Sequence, residues 1–197
     1  AVSFALGFAF TYMFGYEDEA PVVASENATT ERLVEEETTG TVPVSLQDET
    51  IISPIVGSAV ALADVNDPVF SSGAMGKGIA IKPTEGVVYA PADAEVTIAF
   101  ATGHAYGLKT ANGAEILIHV GIDTVSMNGE GFDQKVAQGD KVKAGEVLGT
   151  FDAAKIAAAG LEDTTMVIVT NTADFASVTP VATGSVAKGD AIIEVKA

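Results

Sequence analysis

The chain has 197 residues, 48% of them hydrophobic and 19% charged, with no cysteine and a formal net charge of −17. That length suits one domain plus extra segments, and the apolar fraction suffices for a core. The acidic balance argues against nucleic acid, whose phosphates demand Lys and Arg, and against anionic lipid, but favours encounter with a basic protein; without cysteine there is neither a disulfide framework nor a thiolate metal site.

The chain opens AVSFALGFAFTYMFGY, uncharged as far as Glu17. This run is short of the roughly 20 residues a spanning helix needs and lacks the basic start of a secretory signal. Tyr12, Phe14 and Tyr16 gather at its end, as aromatics do at a membrane interface. Residues 1–16 are therefore expected to be the remnant of a last transmembrane helix. Residues 17–49 contain EDEA, ERLVEEETTG and SLQDET. Low hydrophobicity and one-signed charge cannot repay the entropy of ordering, so this stretch is expected to be a flexible acidic tether, with a weak helical tendency over 31–37.

Residues 50–197 have a different texture. GIAIKP, VVYAP, VTIAF, EILIHVG, EVLGTF, MVIVTN and IIEVKA alternate with Gly, Pro, Asn and Asp. Short β-branched runs with frequent turn signals predict an all-β domain, an antiparallel sandwich with barrel-like character and Greek-key hairpins. The stretch 152–161, DAAKIAAAGL, is the clearest helix candidate, with Gly160 near its end. VAQGDKVKAGEVLGTF and SVAKGDAIIEV echo one another around a Gly-Asp turn. Such hairpins build biotinyl and lipoyl carriers, but Lys141 and Lys143 lack the modifiable-lysine motif, so the echo reads as architecture.

His104 and His119 are the only histidines. Between them lies Asn112-Gly113, the strongest short hairpin signal. A two-residue turn there would set Leu108 opposite Leu117 and Tyr106 opposite His119, with His104 on the same face at the diagonal, about 7–8 Å away. Thr102 and Phe100 would continue that face, and Ile116, Ile118 and Val120 would face a core. Two imidazoles leaning together can share one small anion. A neutral imidazole nitrogen is a nucleophile near pH 7, and its attack on phosphorus gives a transferable phosphoramidate. The second histidine would hold phosphoryl oxygens, and Thr102 would orient it. Such transfer rests mainly on positioning and charge stabilisation, so no metal, nucleotide or other cofactor is expected.

The stretch GAEILIHVGIDTV over 113–125 resembles the phosphohistidine signature of glucose-type enzyme IIA, a domain of bacterial sugar phosphotransferase systems. Thr102-Gly-His104-Ala is similar to that family's second histidine segment, and GIAIKPTEGVVYAP and NDPVF also look like family segments. The resemblance covers about 51–197. It implies a phosphotransferase in which His119 accepts phosphate from the phosphocarrier protein HPr and passes it to a cysteine on a IIB domain. It implies that His104 supports the phosphate and Thr102 orients it, with Asp67 and Asp123 beside the site. It further implies a docking patch of Phe70, Phe100, Leu117 and Val125, although the family often has an aromatic where Leu117 stands. If that patch is surface, Phe70→Ser should leave the thermal midpoint within a few degrees. The opening segment resembles the end of the last membrane helix in glucose, β-glucoside and sucrose permeases. That implies a IIA domain tethered at the cytoplasmic face of the membrane, with the sugar met only through a IIC domain.

Two other readings use the same residues. His119 and Asp123 make an H-x-x-x-D pair to which His104 could add a third zinc ligand, as in some zinc hydrolases, but the downstream H-x-H of those enzymes has no counterpart here. A non-catalytic binding module is the other.

Overall fold

The computed structural model describes residues 46–197. The expected membrane remnant over 1–16, the tether as far as residue 45 and the helical tendency over 31–37 lie outside the described residues.

Fourteen strands, two short α-helices and three 3-10 turns occur among the described residues. The strands and α-helices are β1 (Glu49–Ile52), β2 (Gly57–Ala61), α1 (Pro68–Ser71), β3 (Lys77–Pro83), β4 (Val87–Tyr89), β5 (Ala94–Ala99), β6 (Ala105–Thr110) and β7 (Glu115–His119). There follow β8 (Phe132–Gln134), β9 (Lys141–Val142), β10 (Val147–Phe151), α2 (Ala153–Ala158), β11 (Thr165–Val169), β12 (Ser177–Pro180), β13 (Gly184–Val186) and β14 (Ala191–Lys196). One sheet runs β13-β2-β3-β11-β7-β6-β5-β9, and two smaller ones run β1-β14-β12 and β4-β10-β8. The pairings are antiparallel. The architecture is the all-β sandwich that the short apolar runs predict.

The large sheet is buried on both faces near its centre, which explains the unbroken apolar run of β11. Val167 and Val169 enter the main core with Ile116, Ile118 and Val120, while Met166 and Ile168 enter a second cluster with Leu117 and Ala105. A strand covered on one side alternates, whereas one covered on both does not. The cover on the second side is the segment after β2. It contributes Leu62, Val65 and Phe70.

The Gly-Asp echo is a repeated turn. Asp140 Oδ2 accepts from the Ala137 amide and Asp190 Oδ2 from the Ala187 amide, each at 2.8 Å. Gly139 and Gly189 take φ of 92° and 91°, which a side chain would resist. The helix expected over 152–161 forms as α2. Asp152 caps it by accepting from the Ala154 and Lys155 amides, and Gly160 ends it at φ 76°.

The ordered hydrogen bonding starts inside the stretch assigned to the tether. The Gln47 amide donates to the Asn112 carbonyl, Asp48 accepts from the Ala197 amide and Lys196 Nζ, and Thr110 Oγ1 donates to Glu49 Oε1 at 2.7 Å. Acidic residues that look like solvated linker thus have specific partners, Glu49 at the far end of the β6–β7 hairpin and Asp48 at the end of β14.

That hairpin corrects the expected register. Ala105 pairs with His119, Gly107 with Leu117 and Leu108 with Ile116, one residue away from the pairing drawn for a two-residue turn. The Thr110 amide donates to the Ala114 carbonyl, so the loop is Ala111 to Gly113, with Gly113 at φ 98°. The Thr110 hydroxyl also accepts from the Ala114 amide at 3.0 Å. This second bond favours the three-residue loop with a left-handed glycine. A one-residue slip exchanges the two faces of one strand relative to its partner. Tyr106 and Leu108 consequently belong to the main core, and His119 stands beside Ala105 and Met166.

Candidate active site

His119 is the last residue of β7 and projects, like Leu117, into the second apolar cluster. It is only 8% exposed. His104 precedes the first residue of β6, outside the ladder that the sequence placed it in. The chain turns at 101–104, with Gly103 at φ 68°, and this turn swings the His104 ring toward His119. The two ring centroids are 5.0 Å apart with planes at 77°. The expected meeting of imidazoles therefore occurs, but through a turn rather than a cross-strand diagonal.

Each ring is held at Nδ1. His119 Nδ1 lies 2.9 Å from the Gly121 carbonyl oxygen. A carbonyl only accepts, so Nδ1 carries the proton and a neutral His119 presents the lone pair at Nε2. Thr102 Oγ1 is 2.5 Å from His104 Nδ1. His104 Nε2 is buried with no partner within the protein, and an unpaired buried polar atom is costly.

Burial holds both histidines neutral. Desolvation, and then the neighbouring His119, push His104 down to about 4. Desolvation also lowers His119, against upward pulls from the Gly121 hydrogen bond and the Asp67 and Asp123 carboxylates. The unfolded chain, whose histidine titrates near 6.5, therefore takes up protons first on acidification. Stability from His104 is full above about pH 6.5 and drains as pH falls toward about 4. Between pH 7 and 5, the wild-type thermal midpoint should fall further than that of His104→Gln, since both share every other titrating group. Equal falls would mean that burial does not hold this ring neutral.

The aromatic neighbours differ from an exposed docking patch. The Phe70 ring packs 5.1 Å from His119, and the Phe100 ring 5.2 Å from His104. Phe70 is 6% and Leu117 8% exposed, whereas Val69 and Val125 are 37% and 39% exposed, and Phe100 is half-buried. Phe70 is buried because Asp67 caps α1, accepting from the Val69 and Phe70 amides, with Pro68 at the first helical position. This directs the ring inward over β7. The expectation for Phe70→Ser changes accordingly. Emptying the site should cost about 2–4 kcal/mol, which calorimetry would record as a midpoint lower by roughly 10 °C. A shift within two degrees would mean that the ring packs in no structural role. Asp123 is exposed and left-handed at φ 58°, and its carboxylate acts on His119 across space.

Sequence reasoning missed Gly121, whose carbonyl sets the His119 tautomer, and Met166 and Ala105, which wall the ring. The H-V-G spacing is a usable signal for the first. The cross-strand neighbours carry none, because they depend on register. Among the described residues, no three His, Cys, Asp or Glu side chains group as a metal site would require. The zinc-hydrolase reading of His104, His119 and Asp123 gains no support.

A sequence model of the family described as phosphoenolpyruvate-dependent sugar phosphotransferase system, EIIA 1, matches residues 49–175. The chain is 49% identical over 142 residues to a β-glucoside-specific EIIBCA component from Dickeya chrysanthemi, an alignment covering 72% of this chain and 22% of that one. It is 48% identical over 125 residues to a glucose-specific EIIA component from Bacillus cereus, covering 64% of this chain and 76% of that one. The solved glucose permease IIA from Mycoplasma capricolum matches with a TM-score of 0.71 at 34% identity, over 75% of this chain and 96% of that one. The chain thus spans about a fifth of the length of the fused β-glucoside relative. Fold and likeness together define a β-sandwich phosphotransferase domain. The chain belongs to the EIIA 1 family of the phosphoenolpyruvate-dependent sugar phosphotransferase system.

Proposed function

We propose that His119 carries the phosphoryl group, accepting it from HPr and passing it to a IIB-domain cysteine, so that sugar entering through a IIC domain is phosphorylated. The observation that carries this reading is the His119 Nδ1 contact to the Gly121 carbonyl at 2.9 Å, which leaves Nε2 as an unprotonated nucleophile. The Nε2 lone pair attacks phosphorus, the P–N bond forms, and the bond from phosphorus to the donor's nitrogen breaks with its electron pair returning to that nitrogen. Thr102 donates its hydroxyl proton to His104 Nδ1, which keeps the His104 proton on Nε2. That otherwise unpartnered donor then binds a phosphoryl oxygen.

The partners and setting rest on the relatives. Fused EIIBCA components join this kind of domain to IIB and IIC regions in one chain. We infer the same setting here: residues 1–16 ending a membrane helix, residues 17–45 forming the tether, and the IIA domain working at the cytoplasmic face. Exposed Val69 and Val125, with Phe100, Asp67 and Asp123, would form the docking rim, over a floor of Phe70 and Leu117. Incubation with enzyme I, HPr and phosphoenolpyruvate should label the protein at one acid-labile, alkali-stable site. Absence of label would leave a non-catalytic binding module as the better reading.

A further inference from the structure

The nucleophile's tautomer depends on the direction of one glycine carbonyl, and both peptides flanking that glycine are tied down. On one side, Thr124 Oγ1 donates to the Val120 carbonyl at 2.5 Å. On the other, the Ile122 amide donates to the Glu162 carbonyl at 2.8 Å. Gly121 itself sits at φ 78°, and a Cβ there would come within 2.4 Å of Thr124 Cγ2 and 2.7 Å of the Glu162 oxygen. The Val120 amide in turn donates to the His104 carbonyl at 2.8 Å. Thr124 is fully buried, and its hydroxyl has no other partner to serve.

We propose that Thr124 is a positioning residue for the phosphoryl acceptor: its hydroxyl locks the peptide before Gly121, so that the Gly121 carbonyl holds the proton on His119 Nδ1 and frees Nε2. This rests on the reading of His119 as nucleophile. Without the hydroxyl, the Val120 carbonyl loses its donor and the 120–121 peptide can rotate; that changes φ at Gly121, leaves the next peptide tied only through the Ile122 amide, and so tilts the Gly121 carbonyl and loosens its grip on Nδ1–H. A neutral imidazole so released samples both tautomers, and only one of them attacks from Nε2. Because Val120 also meets the His104 carbonyl, the same lock ties the backbones of both histidines.

The test is a long-range nitrogen–proton correlation spectrum of the unphosphorylated domain at pH 8, for wild type, Thr124→Val and Thr124→Ser. Wild type and Thr124→Ser, which keeps the hydroxyl, should show a protonated Nδ1 and an unprotonated Nε2 at His119. Thr124→Val should show averaged shifts at both nitrogens, and accept phosphate about tenfold more slowly, as losses of orienting hydrogen bonds commonly do. Wild-type His119 shifts in Thr124→Val, or equal averaging in Thr124→Ser, would overturn the proposal. Should Thr124→Val lack a dispersed spectrum, Thr124→Cys, whose thiol is only a weak donor, replaces it under the same criterion. The tautomer is read without any phosphate donor. A phosphate found elsewhere than His119 would thus defeat the functional reading and leave this result standing.

Discussion

His119→Ala should abolish phosphoryl acceptance altogether, not merely slow it. The described residues contain one other imidazole, His104, and its Nδ1 is engaged by Thr102 while burial holds Nε2 away from solvent. It cannot take over the attack, because its ring is oriented to serve a group bound to its neighbour. The substitution leaves the buried Gly121 carbonyl without its Nδ1 donor and opens space beside Phe70, so the midpoint should fall, but it breaks no strand pairing and the variant should still fold. Labelling of the variant with enzyme I, HPr and labelled phosphoenolpyruvate, alongside its thermal midpoint, tests this. A folded variant that still acquires an acid-labile phosphate would refute the assignment.

The second large effect is expected at His104. Glutamine keeps a hydrogen-bond donor near the phosphoryl oxygens but loses the ring that Thr102 braces and that packs on Phe100. Acceptance should survive, because the His119 nucleophile is untouched. Onward transfer should not, because the bound phosphoryl group then lies misaligned for the incoming thiolate. Loss of one oriented donor to a charged transition state costs about 100-fold in rate, and a drop of that order is expected for transfer to the IIB cysteine. Rapid-quench measurement of the two half-reactions separates them. If acceptance were lost and onward transfer retained, the roles given to the two histidines would be reversed.

The fold was legible in the sequence because its signal is local. Short β-branched runs punctuated by Gly, Asn and Asp can build little else, and the Gly139-Asp140 and Gly189-Asp190 turns each carry their own hydrogen bond. The capping Asp152 and terminal Gly160 made α2 legible for the same reason. The site was legible only as a list of residues. Its geometry turned on the β6–β7 register, which the Thr110 hydroxyl decides, and on the turn that carries His104 outside the ladder. The inward direction of Phe70 was hidden too, although Asp67-Pro68 is a local helix start that could have been read. What covers a sheet face depends on a segment distant in sequence, and no periodicity within β7 reveals it.

The central claim concerns a single atom. Phosphorus and nitrogen NMR of the freshly phosphorylated, nitrogen-labelled domain would identify it through the phosphorus–nitrogen coupling. The geometry, with His119 Nδ1 turned to the Gly121 carbonyl, predicts one phosphoramidate, on Nε2 of His119. A coupling to Nδ1 of His119, or to either nitrogen of His104, would contradict it.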